Sequence, residues 1–263
     1  MRVFWEMTKR SFQRYLTYRA AALAGLATNF FFGLLRMAIL LALYGERPQV
    51  AGLTVADVIT YSALSQALIG YLSIFGWYDL MNSVYTGEIG SDLLKPLGLM
   101  RFWLAQDVGR ALVNFLLRGV LIMVAFELVV DLVYPQTAVS WLHVLCTLIL
   151  GWLVSFGFRF LVNLASFWSP DARGMGRFAF LSATFFCGQL MPIRFFPDWL
   201  QGWLQFTPFP AMFNTTIEIY LGTLTGTAVY LALLNQLLWA IGLLLVGQWV
   251  LQTAVRRLVI QGG

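Results

Sequence analysis

AAALAGLATNFFFGLLRMAILLALY, residues 20–44, carries a single charge, Arg36, and decides the fold. A helix rises about 1.5 Å per residue, so about 20 apolar residues cross about 30 Å of hydrocarbon, and this run is longer than that. Runs at 55–78, 102–130, 141–167 and 226–250 also exceed the crossing length, and a shorter one at 178–191, with Arg177 at its mouth, is the sixth candidate. The chain reads as a polytopic membrane protein. Composition leads to the same answer, since 60% hydrophobic and 11% charged residues among 263, with a mean hydropathy of +0.76, exclude a soluble globule. Cys146 and Cys187 fall inside predicted spans as small apolar fillers, so neither reports a redox compartment.

Upstream of the first run, Arg2, Lys9, Arg10, Arg14 and Arg19 imitate the basic end of a signal peptide. The run is too long for a signal core and no small-residue cleavage site follows near Gly45, so it is expected to stay as the first membrane helix. Phe4, Trp5, Phe12, Tyr15 and Leu16 share one helical face and Arg2, Glu6, Lys9, Arg10, Gln13 and Arg14 the other, with Glu6 four residues before Arg10 in the favourable order. Residues 2–18 read as an amphipathic helix in the cytoplasmic headgroup layer. The expected organisation is an interface helix at 1–19, a six-helix membrane domain at 20–252 and a cytoplasmic tail at 253–263.

Lys and Arg set the orientation. With six crossings and both termini cytoplasmic, twelve of the 17 basic residues face inward: the five at the N-terminus, Lys95, Arg101, Arg110, Arg173, Arg177, Arg256 and Arg257. Only Arg47 and Arg194 face outward, and Arg36, Arg118 and Arg159 lie within spans. The net charge of +5 then serves attraction to an anionic inner leaflet and not nucleic-acid binding.

Pro48, Pro135 and Pro170 follow spans one, three and four, and Pro96 lies in a loop, as befits residues that break the helix ladder. Pro192, Pro197, Pro208 and Pro210 cluster instead in MPIRFFPDWLQGWLQFTPFPAMFNTTIEIYLG, an aromatic stretch with no run long enough to cross. Pro197 with Asp198 can start a short helix carrying Trp199, Trp203 and Phe206, and Pro210 another that ends near Gly222 and carries Glu218. This reads as a re-entrant helical hairpin in the outer leaflet, shielded by a neighbouring helix or closing a pathway. In the loop between spans two and three, Gly87 and Gly90 flank Glu88 and Ile89, Asp92 favours a helix start, and Leu93, Leu94 and Leu97 form an apolar ridge beside Lys95. Such a ridge suits either docking into a partner's groove or resting on lipid. The next loop, SPDARGMGR, reads as a simple turn.

The amphipathic N-terminal helix, the six spans, the TGEIGSDLLKPL loop after span two and the proline-broken GQLMPIRFFPDWLQ and FTPFPAMFNTTIEIYLG segments before the last span resemble the type-2 permeases of ABC exporters. The likeness covers nearly the whole chain and is nearest to the six-span branch found beside a second permease and an ATPase. It implies an all-α permease in the plasma membrane that pairs with a second permease subunit, as a heterodimer in preference to a homodimer. A cytoplasmic ABC ATPase dimer, holding ATP and Mg, would dock on the loop carrying Gly87, Glu88, Ile89, Asp92, Leu93 and Lys95 and drive an amphipathic or hydrophobic substrate outward. Consistent with a separate motor, the chain has no GxxxxGK[ST] loop, and its only lysines, Lys9 and Lys95, lack the preceding glycines.

Arg36, Arg118 and Arg159 each cost roughly 2.5–3.5 kcal/mol at a span centre, against about 0.3–0.6 regained per Leu, Ile or Phe. Span one carries eleven such apolar residues, so it inserts despite Arg36. Asn114 lies one turn before Arg118 and Asn163 one turn after Arg159, so each pair shares a face that can hydrogen-bond across a subunit interface. Two roles remain open for these five residues, lining the substrate path or snorkelling with structural hydrogen bonds. Glu127 and Asp57 sit near span ends, where an interfacial position is expected.

Catalysis finds no support. His143 has no HExxH pattern and no cysteine or carboxylate partner, and no intramembrane protease motif occurs, so neither a catalytic nor a metal site is expected. Two rival functions stay open: an ion-coupled secondary transporter, which would show midplane carboxylates on broken helices, and a structural membrane subunit of a larger complex.

Overall fold

The computed structural model describes residues 1–17, 19–169 and 171–256; Pro170 and residues 257–263, with Arg257, lie outside the described residues. Helix α1 (Arg2–Thr17) leads into α2 (Arg19–Tyr44). Two short strands follow, β1 (Gln49–Val50) and β2 (Leu53–Thr54), paired antiparallel in a ribbon within a fold expected to be all-α. Ala51 and Gly52 join them with φ of 50 and 80°, the double positive φ that suits the twist of a two-residue hairpin.

Thr54 then starts α3 (Val55–Leu72) with a capping box: its hydroxyl accepts from the Asp57 amide at 3.2 Å, while the Asp57 carboxylate accepts from the Thr54 amide at 2.9 Å. The short helices α4 (Asp79–Thr86) and α5 (Ile89–Leu93) come next. Helix α6 (Leu99–Asn114), a π-helical turn (Phe115–Val120) and α7 (Leu121–Glu127) form one unbroken rod. After it come α8 (Ala138–Leu164), extended by a 3₁₀ turn (Ala165–Phe167), then α9 (Arg173–Phe186), α10 (Asp198–Leu204), α11 (Phe209–Met212), α12 (Asn214–Leu221) and α13 (Thr227–Val255).

Five segments are long and apolar enough to cross a membrane: Ala24–Tyr44, Val55–Leu72, Leu99–Glu127, Ala138–Phe167 and Thr227–Val255. The sixth candidate is displaced. Its helix, α9, starts at Arg173 inside the expected simple turn and stops at Phe186, so its 14 residues reach only about 21 Å. Gly188 ends that region with φ +89°, where a Cβ would come within 2.9 Å of the Tyr61 hydroxyl and Asn214. The second run is also shorter than its apolar extent, stopping at Leu72 and not at Tyr78. Ser73 takes a left-handed φ of 51°, and Gly76, at φ +117°, has no room for a Cβ between Tyr78 and Phe180.

Helix α3 is the centre of the bundle, with 72% of its span buried against 17% for α2 and 22% for α13. It is also the least apolar span, with a mean hydropathy of 1.2 against 1.9 and 2.1. Those two facts have one cause: a helix facing lipid has no partner for a polar side chain, whereas Thr60, Ser62, Ser65 and Gln66 on α3 are buried against other helices. Helix α1 docks along α6 with Phe4, Phe12 and Tyr15 of its expected apolar face half-buried and Leu16 exposed. Thr8 and Ser11 are its buried residues, Ser11 donates to the Gln106 carbonyl at 2.7 Å, and Trp5 stays exposed. The close approach requires Gly109, whose Cβ would lie 2.6 Å from the α1 backbone.

The proline-rich segment folds as short helices, with Pro192 before a 3₁₀ turn (Ile193–Phe195), Pro197 at the N-cap of α10, Pro208 before α11 and Pro210 in its first turn. Helix α12 ends at Gly222, φ +69°. Helices α11 and α12 pack into the core through Phe213, Ile217 and Ile219, whereas Trp199, Trp203 and Phe206 project outward and Phe206 lies beyond the end of α10. Glu218 on α12 pairs with Arg194 at 2.6 Å.

Candidate functional site

Two polar regions hold most of the charged residues singled out in the loop and the spans. The first begins at the loop after α4. Gly87 caps α4 with φ +80°, and Ile89 plugs α5 into the core beside Leu80 and Leu99 at 1% exposure. Asp92 does not start a helix as expected. It sits at the end of α5, where its carboxylate accepts from Ser83 at 3.1 Å and from Lys95 at 2.6 Å, while the Lys95 ammonium lies 3.9 Å over the Phe102 ring. The expected ridge is split: Leu93 and Leu97 turn onto the core, and Leu94 projects at 88% exposure beside the exposed Glu88. Between this loop, α1, α4 and α6 lies a polar cleft of about 580 Å³, lined by Arg14, Tyr15, Asp79, Glu88, Lys95 and Gln106 among others. Burial in that cleft, with Asp79 next in effect, raises the Tyr15 hydroxyl above its ordinary pKa.

Behind the loop lies a cluster centred on Asp107, a residue the sequence reading did not select. Its carboxylate accepts four N–H groups: Arg110 Nε at 2.7 Å, Arg159 Nη1 at 3.0 Å, Arg159 Nη2 at 2.8 Å and Trp152 Nε1 at 2.8 Å. The Arg159 contact is a two-pronged fork, the strong form of this interaction. Arg110 also donates from Nη1 to the Gly70 carbonyl and from Nη2 to the Tyr71 carbonyl, at 2.6 and 3.0 Å, and Ser155 donates to the Leu72 carbonyl at 2.8 Å. The C-terminus of α3, whose last carbonyls have no helical partner and would be costly in a membrane, is thereby satisfied by side chains. The positive charge of Arg110 also suits the negative end of the α3 dipole.

Asn163 extends the cluster to the loop. Its amide donates to the Trp77 carbonyl at 2.7 Å and its Oδ1 accepts the Met81 amide at 3.0 Å, supplying from α8 the cap that α4 lacks on its own chain neighbour. Arg159 and Asn163, at 1% and 0% exposure, are therefore interior residues whose hydrogen bonds among the described residues stay within this chain. Asn114 likewise turns back to the Arg110 carbonyl of its own helix at 3.0 Å. Arg110, counted above among inward-facing charges, is buried at 5% exposure. Asp107 had a readable signal, a carboxylate inside an apolar run three residues before Arg110. Trp152 and Ser155 had none.

The second region lies between α2, α3 and the turn after α9. Arg36 donates from Nη1 to the Ser65 hydroxyl and forms no ion pair among the described residues. It lines a cavity of about 440 Å³ with Asn29, Gln66 and Gln189. Gln189 is 1% exposed, yet its Oε1 has no hydrogen-bond partner among the described residues. Arg118 also lacks an ion pair there; its guanidinium lies against α2 at Gly25 and its buried Nε is unpartnered. The three arginines expected within spans thus divide into one closed by a carboxylate and two with no ion pair among the described residues. Among the described residues, no group of three or more His, Cys, Asp or Glu could hold a metal.

A family model described as "ABC-2 family transporter protein" matches residues 30–262. Comparison with curated proteins and with solved structures gives no match.

Proposed function

We propose that this chain, which belongs to the ABC-2 family of transporter proteins, is the permease subunit of an ABC exporter that moves an amphipathic or hydrophobic substrate outward. Separate cytoplasmic ATPase subunits bind ATP and Mg and supply the energy, and a second permease subunit, different from this chain, completes the membrane path. The chain crosses the plasma membrane six times with both termini cytoplasmic. Helix α9 is the shortened fifth crossing, and the α10 to α12 segment is a re-entrant hairpin of the outer leaflet. The excess of basic residues on the loops assigned to the inner side supports this orientation.

The observation that carries the reading is the construction of α5. Glu88 and Leu94 project from a loop whose base is held by Ile89 and by the Asp92 contacts to Ser83 and Lys95. A partner that seats on Glu88 and Leu94 moves a rigid unit and not a loose loop. That unit continues through α4 to Asn163 on α8 and, by way of Arg159, to Asp107 on α6. The ATPase stroke is delivered along this line to two crossing helices.

The test is nucleotide hydrolysis in vesicles holding the chain with its ATPase and second permease. Glu88→Lys and Leu94→Asp lower turnover on the order of tenfold, as loss of a docking contact worth about 1.4 kcal/mol does, while the isolated chain hydrolyses nothing. Undiminished turnover in both variants removes the docking assignment, and transport by the chain without any ATPase removes the exporter reading.

A further inference from the structure

We propose that the cavity around Arg36 is a binding site for the oxyanion headgroup of an amphiphile, a site that deepens the exporter reading by naming the chemistry of what is moved. The first observation is the unspent charge. Arg36 has five N–H donors and one protein acceptor, the neutral Ser65 hydroxyl, which itself donates to the Ser62 carbonyl at 2.8 Å. Arg159 and Arg110 share Asp107, and Arg194 has Glu218, so the fold neutralises arginine elsewhere. At Arg36 no carboxylate is supplied among the described residues.

The second observation is independent of charge. The Gln189 amide is enclosed and its Oε1 is unpartnered, a state that buried polar groups avoid unless something outside the chain completes it. Its position is built and not incidental. The carbonyls just before it are pinned, Cys187 by the Asn214 amide at 3.1 Å and Gly188 by the Tyr61 hydroxyl. Gln66 adds a second amide at 4% exposure, and Asn29 is held to the Gln66 carbonyl at 3.4 Å. A cation, an orphaned acceptor and two further amides therefore face one volume of about 440 Å³, enough for a headgroup that offers an oxyanion to Arg36 and a hydroxyl or N–H to Gln189.

The surroundings fit the rest of such a molecule. Phe32, Leu35, Ile39, Phe75 and Leu190 rim the cavity and are exposed, so an alkyl chain leaving the headgroup lies along apolar side chains that face lipid. Depth separates this ligand from an ordinary bilayer lipid. Arg36 precedes the end of α2 at Tyr44 by eight residues, about 12 Å along the axis, so a headgroup bound there is submerged below the interface where resting lipids keep theirs.

The test uses the purified full chain in neutral detergent, without ATPase, and counts phosphatidylglycerol and phosphatidylcholine retained on the intact protein by native mass spectrometry. The wild type retains phosphatidylglycerol in preference, and Arg36→Gln and Gln189→Leu each reduce that preference on the order of tenfold, the size of one charge-assisted contact. Arg47→Gln, an exposed arginine at the end of α2, leaves it unchanged. Equal retention of the two lipids by the wild type overturns the proposal, as does an unchanged preference in both cavity variants. Displacement of the lipid by excess inorganic phosphate overturns the amphiphile in favour of a free anion. Dissociation of an oligomer by Arg36→Gln with lipid retention intact overturns it in favour of a second copy covering the cavity. Because no ATPase is present, these outcomes are independent of the docking test above.

Discussion

Arg159 and Arg36 are the same residue type on apolar helices of one bundle, and the chain treats them in opposite ways. Arg159 is wrapped by Asp107, Ser155 and the Trp77 ring, the latter 5.8 Å from its guanidinium, and every element around it is tied to another by the same cluster. Arg36 has one hydroxyl and an open cavity. A membrane protein retains an intramembrane charge for one of two reasons: because the charge joins helices, or because it waits for something that is not part of the chain. The difference between the two arginines shows that insertion cost alone does not tell those reasons apart; the partner does.

Four substitutions break or sharpen that contrast, each read as thermal unfolding in one detergent. Asp107→Ala has the largest effect, because it leaves Arg110 and Arg159 buried without their shared counter-charge, a loss of about 3–5 kcal/mol. Little folded protein is expected after extraction. Arg159→Met costs less, roughly 1.5–3 kcal/mol, since Asp107 keeps Arg110 and Trp152. Trp152→Phe preserves the ring packing on Phe156 and removes one N–H from the carboxylate, for about 1 kcal/mol. Arg36→Met changes stability by no more than about 0.5 kcal/mol or raises it, because no counter-charge is stranded. An Arg36→Met protein as unstable as Arg159→Met would erase the distinction between a closed and an open arginine.

Much of the architecture was legible as lengths of apolar sequence. The runs at 20–44, 141–167 and 226–250 became α2, α8 and α13, and the prolines marked the starts of α10 and α11. The reading failed where an apolar run and a helix are not the same thing. Residues 73–78 and 187–191 are apolar enough to continue a span, but the chain turns there through positive φ at Ser73, Gly76 and Gly188, and at the two glycines neighbouring side chains leave no room for a Cβ. The loop after α4 was marked out by its glycines and charges, whereas the direction of each leucine in it was set by Ile89 anchoring α5 and not by spacing. Asp107 could be noticed through Arg110 three residues on, but its other partners Trp152 and Arg159 lie 45 and 52 residues away, on another helix.

Immersion in a membrane and helical class were properties of the amino-acid sequence by itself. Each follows from a sum over residues: transfer of apolar surface and satisfaction of backbone groups within one segment. Which charges are spent and which are free was decided only in the tertiary structure. Pairing depends on how α3, α6 and α8 cross, and a crossing brings together atoms that no local pattern relates; the same crossings that close a carboxylate around Arg159 leave Arg36 facing a cavity.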